Sequence, residues 1–351
     1  MKVLVSGGTG LVGRYVVDGL HSAGLEVKLG GRFPTISPLE AEMSGRTEGG
    51  ISGSNAAVNS SAALSLTPLC HLSVTSPPQG GRSKGASGTA PDHMAPALLP
   101  LTLDPTLDQR DKFVGIDAFI HLAFDHLPGR YRGGEGADPA RFRRLNHEGS
   151  VKLFEDAKAA GVKRCIFLSS RAVYDGLPAG SVLKEEMALS PDSLYGQIKL
   201  ESEQALAALS SSIFITTSLR ATGVYGHHRP NKWDALFEDY LAGTPVASRA
   251  GSEVHGDDLA AAILLLLGAD AGTVNGKAFN ISDIVIDTHE ILSIYAKAGG
   301  VSYALPAPSD HSTVSVMDTV QLKAMGWQSG GRERLTNTLQ VLAKTAQPSS
   351  P

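Results

Sequence analysis

The sequence predicts an α/β protein: a doubly wound parallel sheet with a small C-terminal substrate-binding region and a disordered insertion between the second and third strands. Three observations predict it. Residues 1–32 read strand, glycine turn, helix, strand, the order a parallel βαβ unit requires. Residues 98–223 repeat that alternation of short apolar runs and helical-period segments. Between them lies a run, 33–97, rich in Ser, Gly, Pro and Ala and poor in large apolar side chains.

The elements follow in order. KVLVSGG is an apolar, β-branched run that stops at glycine. LVGRYVVDGLHSAG spaces its apolar residues for one helix face, and GLEVKLGGR is a second short strand. The insertion has no sustained period and too little apolar surface to order itself. It reads as a disordered loop or, alternatively, as a gene-model artefact such as an unremoved intron. ALLPLTLD resumes as a strand, DQRDKFVGI as a short helix and DAFIHLAF as a strand. ARFRRLNHEGSVKLFEDAKAAG reads as one long helix closed by a glycine C-cap. VKRCIFLSS is a strand, SLYGQIKLESEQALAAL a helix, and IFITTSLRATGVYG a strand and loop. Beyond Val224 the regularity weakens, with helices expected at WDALFEDYLAG, GDDLAAAILLLL and THEILSIYAKAG and a strand at KAFNIS. The domain reading is therefore 1–32 with 98–223 for nucleotide binding, and 224–345 mainly for substrate, with one strand returning to the sheet. The tail, 346–351, is expected to fray.

Composition narrows the function. The 351 residues are 42% apolar, enough for a sizeable core, and the formal charge is -4. No basic excess is available to neutralise a polyanion, so nucleic acid is excluded as a partner. The two cysteines, Cys70 and Cys165, form neither a disulfide framework nor a zinc spacing, which fits a reducing compartment. Cys165 lies in CIFLSS and is expected to be a buried thiol. No signal peptide is read before the first strand, and the apolar run Ala260–Leu267 is too short to cross a bilayer. The expectation is a soluble, cytoplasmic protein without a membrane partner.

The chemistry concentrates in three places. In GGTGLVG, Gly7 permits a tight turn, Gly10 lets a phosphate approach the backbone, and Gly13 lets helix and strand pack closely. The helix N-terminus adds free N–H groups and a positive dipole end. An ordinary glycine-rich turn is the alternative, and the strand before with the helix after decides for a dinucleotide cradle on a sheet of the Rossmann type. The second strand ends in Arg32, where an acidic residue would select NAD through the ribose 2′-hydroxyl. Arginine suits a 2′-phosphate and favours NADP, although a solvated arginine there leaves NAD open. Further on, Tyr195 and Lys199 are four apart and share one helix face. A lysine beside a phenol lowers its pKa and holds a ribose, so the tyrosine can exchange a proton with a carbonyl or alcohol. Ser169 and Ser170 end the strand VKRCIFLSS about 25 residues earlier, at the crevice the glycine turn faces. A serine there hydrogen-bonds a substrate oxygen or merely caps a loop.

With these residues in this order, the chain resembles the extended short-chain dehydrogenase/reductase superfamily, in its NAD(P)-dependent epimerase/dehydratase branch. The resemblance rests on GGTGLVG (7–13), HLA (121–123), LNHEG (145–149), LSSRAVY (168–174), YGQIK (195–199), LRATGVYG (219–226), VHGDDLA (254–260) and MDTVQLKAMGWQ (317–328). It implies that Gly7, Thr9, Gly10, Leu11 and Val12 hold the pyrophosphate and that Leu122 and Ala123 lie beside the adenosine ribose. It implies that Asn146 supports the active site, that Ser170 is the catalytic serine with Ser169 its neighbour, and that Tyr195 and Lys199 are the catalytic pair. The stretch Ala221–Val224 would lie near the nicotinamide. Relatives often pair as homodimers through a four-helix interface, which here would include the Tyr195–Lys199 helix.

Departures from the family pattern matter equally. Where dehydratases carry Asp-Glu, this chain has Arg171 and Ala172, which argues against water elimination. Where nucleotide-sugar epimerases carry a diphosphate-gripping arginine, it has Gly251, with Arg249 nearby. Leu101 stands where an aspartate often touches adenine, followed by Asp104. Arg130, Arg132, Arg141, Arg143 and Arg144 read mainly as a solvated basic face, although some could meet an anionic substrate. His227, His228 and Arg229 either touch substrate or are exposed, and no carboxylate spacing accompanies them, so no metal site is expected. The expected activity is hydride transfer between NADP or NAD and the carbonyl or alcohol carbon of a small substrate. A sugar epimerase is the alternative, and a non-catalytic NADP(H) sensor a third reading.

Overall fold

Apolar runs without polar alternation belong to strands covered on both faces. The structure is a computed structural model that describes residues 1–31, 98–127 and 133–345, and it assembles seven such strands into one parallel sheet. In chain order the strands are β1 (Lys2–Ser6), β2 (Glu26–Gly31), β3 (Leu98–Pro100), β4 (Ala118–His121), β5 (Arg164–Ser170), β6 (Val182–Leu183), β7 (Ile215–Ala221), β8 (Gly223–Tyr225), β9 (Ala250–His255), β10 (Lys277–Ile281), β11 (Ile284–Asp287) and β12 (Val316–Met317). The helices are α1 (Leu11–Ser22), α2 (Pro139–Arg143), α3 (Gly149–Ala159), α4 (Leu194–Ala208), α5 (Asp234–Leu241), α6 (Gly256–Gly268), α7 (Ala271–Val274), α8 (Thr288–Gly299), α9 (Val320–Ala324) and α10 (Gly331–Thr345).

The main sheet runs β10-β7-β5-β4-β1-β2-β3. β1 has β2 on one side and β4 on the other, so the winding reverses there and a crevice opens at the strands' C-terminal ends. Period-2 alternation sorts the side chains into two cores. Val3, Val5, Ile120 and Ile166 pack with α1 and α6 on one face. Leu4, Phe119, Cys165 and Phe167 pack with α3 and α4 on the other. Cys165 is fully buried, as expected, and burial pushes its thiol up, well above the ordinary value. Gly19 faces Ala260, where a Cβ would stand 2.8 Å from that of the alanine, so α1 and α6 pack with their backbones close.

A third cluster gathers Tyr225, Trp233, Phe237, Leu292, Leu335 and Leu339, from β8, the residue before α5, α5, α8 and α10. It forms a small C-terminal core beside the three-stranded sheet β11-β9-β8. The part of the chain after residue 223 is thus divided: α6 and β10 complete the main sheet's layers, and the remainder builds this second core.

Several expectations are corrected. The single helix over 140–161 is three pieces: α2, a π-helix at Arg144–Glu148 and α3. Gly149 begins α3 where a Cβ would fall 2.0 Å from Leu103 O, so the chain passes close to its neighbour just where the helical step widens. The glycine closure is present: Gly161 has φ of 86° and donates to Lys158 O, while Val162 N donates to Ala157 O. The strand at 97–104 shrinks to β3, because Thr102 exchanges hydrogen bonds with the Gln109 side chain and Asp104 caps a turn at Thr106. DQRDKFVGI holds only a 3₁₀ turn, Arg110–Phe113. The helix α10 has no counterpart among the helices expected from the sequence. The insertion 33–97, the tail 346–351, Arg32 and Cys70 lie outside the described residues.

Candidate functional site

β1 delivers the chain to the crevice at Ser6, and Gly7 turns it with φ of 73°. A Cβ on Gly7 would also stand 2.8 Å from Ala123 N, so both conformation and close approach require glycine here. Leu122 N donates to Ser6 O, which lays the Leu122–Ala123 segment against the turn. A Cβ on Gly13 would fall 2.1 Å from Gly7 O, so the first turn of α1 packs directly onto the loop. The N-cap of α1 is Gly10, with no side-chain cap and no acidic residue in the first turn. The N–H groups of Leu11, Val12 and Gly13 therefore lack intrahelical partners and face the crevice mouth beside exposed Thr9 and Gly10. The structure thus brings Gly7, Thr9, Gly10, Leu11, Val12, Leu122 and Ala123 to one place. The donor set suits an anionic group such as a dinucleotide's pyrophosphate.

Two strands away, β5 ends at Ser169 and Ser170. Ser170 accepts a hydrogen bond from Ala172 N at 3.1 Å and starts the 3₁₀ turn Arg171–Tyr174. Ser169 is buried, and its Oγ has no hydrogen-bond partner among the described residues. The start of α4 is pressed onto that turn: a Cβ on Gly196 would be 2.4 Å from Ala172 O. Ser193 caps α4 by accepting from Gly196 N and donating to Asp175 Oδ2. This docking sets Tyr195 in the first turn of α4 above the β5 end.

One helical turn on, Lys199 is 4% exposed and donates from Nζ to Leu168 O at 2.7 Å. The Phe124 and Phe167 ring centroids each lie 4.6 Å from Nζ, and that of Tyr195 lies at 5.9 Å. Burial pushes the Lys199 ammonium down to about 7, with Glu203 one turn along α4 opposing the shift. Phe124 meets Tyr195 edge to face at 5.1 Å. Asn146, placed by the π-helix, accepts from Asp125 N and donates to Asp125 O and Phe142 O.

Two supports escaped the sequence reading. His121 is fully buried between Ser6 and Ser150, at 2.7 and 2.9 Å. Ser150 already donates to Asn146 O, so His121 Nε2–H donates to Ser150 and its Nδ1 accepts from Ser6. Burial drives His121 down to about 3, and it stays neutral. Behind α4, Glu203 and Arg220 form a buried ion pair at 2.8 Å, and Arg220 also donates to Tyr174 OH. Only the HLA and LRATGVYG matches pointed near these residues.

The described arginines of the basic stretch 141–144 are engaged with carboxylates. Arg141 pairs with Asp125, Arg143 with Glu201 and, at 3.8 Å, Arg144 with Asp104. Arg130 and Arg132 lie outside the described residues. Arg171 donates to Ser315 O. Thr222 ties the end of β7 to Ser252 O. Gly251 has open space where a Cβ would stand, and Arg249 N is held by Thr288. His228 Nε2 lies 3.0 Å from Asp18 Oδ2, with burial holding the imidazole below its ordinary value, and Arg229 pairs with Asp234. His227 has a partner set that its local sequence does not show: ligand atoms of His227, His255 and Asp257 lie within 4.8 Å of one another. Of these, His255 Nδ1 accepts from Asp257 N and Asp257 pairs with Arg334, whereas the buried His255 Nε2 has no hydrogen-bond partner among the described residues.

Comparison with known proteins sets this geometry in context. Residues 89–282 match the model of the NAD dependent epimerase/dehydratase family. The chain is 29% identical to the UDP-glucose 4-epimerase of Vibrio cholerae over 207 residues, 57% of this chain and 61% of that one. It is 38% identical to UDP-glucose 4-epimerase 2 of Oryza sativa subsp. japonica over 98 residues, 27% of this chain and 24% of that one. These matches thus span less than two thirds of either relative. Among solved structures, MoeE5 in complex with UDP-glucuronic acid and NAD superposes with a TM-score of 0.66 at 21% identity, covering 98% of this chain and all of that one. The UDP-glucose 4-epimerase of Thermus thermophilus in complex with NAD gives 0.65 at 21% identity over 99% and 100%. At such identity the likeness is one of fold. Among the described residues no helix is long and apolar enough to cross a membrane.

Proposed function

The chain belongs to the NAD dependent epimerase/dehydratase family, and on that premise we propose that it is an NAD(P)-dependent oxidoreductase acting on the carbonyl or alcohol carbon of a small substrate. The observation that carries this is the convergence of Tyr195, Lys199 and the Ser170 turn at the C-terminal end of β5, the end of the parallel sheet that also carries the glycine turn. NAD(P), when bound, supplies the hydride donor or acceptor. Gly7, Thr9 and Gly10 shape the turn around its pyrophosphate, Leu11 and Val12 offer it the uncapped N–H groups of the first turn of α1, and Leu122 and Ala123 line the adenosine side.

In this reading Tyr195 gives a proton to, or takes one from, the substrate oxygen at its phenol hydroxyl. Lys199, held on Leu168 O, keeps positive charge near that phenol and reaches the cofactor ribose. Ser170 presents its hydroxyl to the same substrate oxygen and fixes its direction. Asn146 keeps the Phe124–Asp125 strand-end loop in place. The nucleotide-binding region is assigned to 1–32 and 98–223, and the substrate region mainly to 224–345.

A second reading is favoured by the relatives' names: epimerisation of a nucleotide sugar, in which oxidation and re-reduction at one carbon leave the cofactor unchanged overall. Gly251 counts against it, since no guanidinium is supplied there. Arg32 makes NADP the cofactor expected over NAD, whereas the related solved structures hold NAD.

The test is a fluorescence titration of the purified protein with NADH and NADPH, followed by Tyr195→Phe. Binding of at least one cofactor is expected, with Tyr195→Phe binding as well as the wild type but losing turnover. Failure of both cofactors to bind, or full turnover by Tyr195→Phe, overturns the proposal. Net change in nicotinamide absorbance with substrate identifies an oxidoreductase. Interconversion of UDP-glucose without that change identifies an epimerase.

A further inference from the structure

Phe124 touches both members of the Tyr195–Lys199 pair from a different element. Its ring lies 4.6 Å from Lys199 Nζ and meets the Tyr195 ring at 80° with centroids 5.1 Å apart. Lys199 has three N–H donors. Among the described residues its hydrogen-bond acceptor is Leu168 O, and ring faces of Phe124 and Phe167 lie within cation–π range of the ammonium.

The position of that ring is set from two sides. On one side Phe124 follows directly on Leu122–Ala123, the segment pressed against Gly7. On the other, Asn146 grips the N–H and C=O of Asp125, and Phe142 packs edge to face on Phe124 at 5.4 Å. The backbone leading to Phe124 is therefore tied to the glycine turn and its ring to Phe142 and α4.

We infer that Phe124 is a positioning residue for the Tyr195–Lys199 pair, its face holding the ammonium and its contact with Tyr195 holding the phenol. The inference rests on the proposed reaction for its purpose, but not for its test. An aromatic face attracts a cation where an aliphatic side chain of similar bulk does not. Phe124→Leu keeps an apolar side chain beside the ammonium and removes that attraction, so it makes the buried charge harder to keep. Phe124→Tyr keeps the face. The other titratable groups around Lys199 are Glu203 and Tyr195 on α4 and His121 on β4, and substitutions at Phe124 leave them in place.

The experiment reads Lys199 without substrate or cofactor. Stability is measured against pH by denaturant unfolding for the wild type and Lys199→Met, and for Phe124→Leu and Phe124→Tyr each with and without Lys199→Met. The pH at which each pair's stability difference changes slope reports the folded-state titration of Lys199. That midpoint is expected to fall by roughly 0.4–1.5 pH units in Phe124→Leu and to stay within a few tenths of wild type in Phe124→Tyr. An unchanged midpoint in Phe124→Leu, or equal shifts in both variants, overturns the inference. A Phe124→Leu chain that fails to fold leaves Phe124→Tyr and Phe124→Met to decide, with Met expected to shift the midpoint as Leu does. Absence of NADH and NADPH binding in a parallel titration would overturn the proposed reaction while leaving this result readable.

Discussion

The glycine turn and the Tyr195–Lys199 corner lie at the C-terminal ends of strands in one sheet, yet they are built in opposite ways. The turn works by leaving side chains out. The first turn of α1 presents backbone N–H groups without a side-chain cap, and Gly7 and Gly13 are required because a Cβ would collide with backbone at 2.8 and 2.1 Å. The corner works by bringing side chains in from β4, β5, the π-helix and α4, and it buries a cationic group to do so. A site made of backbone is local and rigid. A site made of converging side chains depends on every element that positions them.

That contrast is open to attack from both sides, beginning where the effect is largest. Tyr195→Phe removes the proposed proton donor and is expected to cut turnover by about 10²–10⁴-fold while nicotinamide fluorescence still reports binding. Behind the corner, Glu203→Ala strands the buried Arg220 guanidinium. It should cost about 3–5 kcal/mol, read by denaturant unfolding.

His121 joins the two regions, through Ser6 at the turn and Ser150 above the corner. Its folded value is depressed to about 3, so between that pH and about 6.5 the unfolded chain binds the extra proton. The stability it contributes is fully present above about 6.5 and is lost as pH falls toward 3. Unfolding curves across this range should show a steep acid limb that His121→Asn flattens, and an equally steep limb in the variant would count against this account. Gly13→Ala forces Gly7 O or α1 to move. It should cost about 1–3 kcal/mol and weaken NADH binding without touching the corner. The smallest effect is expected for Arg143→Ala, whose half-exposed pair with Glu201 should contribute about 0–1 kcal/mol and leave cofactor affinity as it was.

The same contrast governs what could be read in advance. Gly7, Gly10 and Gly13 announce themselves because their spacing is their function, and Tyr195 and Lys199 because one helical turn separates them. The central strands are plain since Val3–Val5 and Ala118–Ile120 are apolar on both faces. Phe124 gave no signal and His121 none beyond its place in HLA, because an aromatic or a histidine in an apolar run looks like core until its neighbours are known. The π-helix was invisible for a related reason: residues 144–148 carry an ordinary helical pattern, and the break comes with packing of Gly149 on Leu103. The helix α10 hides its apolar stripe of Leu335, Leu339 and Leu342 among many polar residues after two glycines. The reading of the basic loop as a solvated face fits the arginines that pair with Asp125, Glu201 and Asp104.

The sheet's far edge carries a consequence for synthesis. β7 is buried along its whole length, yet its outer neighbour β10 begins about 55 residues after β7 ends. At roughly 5–20 residues per second on the ribosome, a nascent chain holds β7 as an open edge for on the order of 3–11 s before β10 can cover it. During that interval the row of unpaired N–H and C=O groups on β7 is a template for any other extended chain. The last strand of the main sheet is therefore also its guard, and the vulnerable moment in this protein's life comes before it has ever met a cofactor.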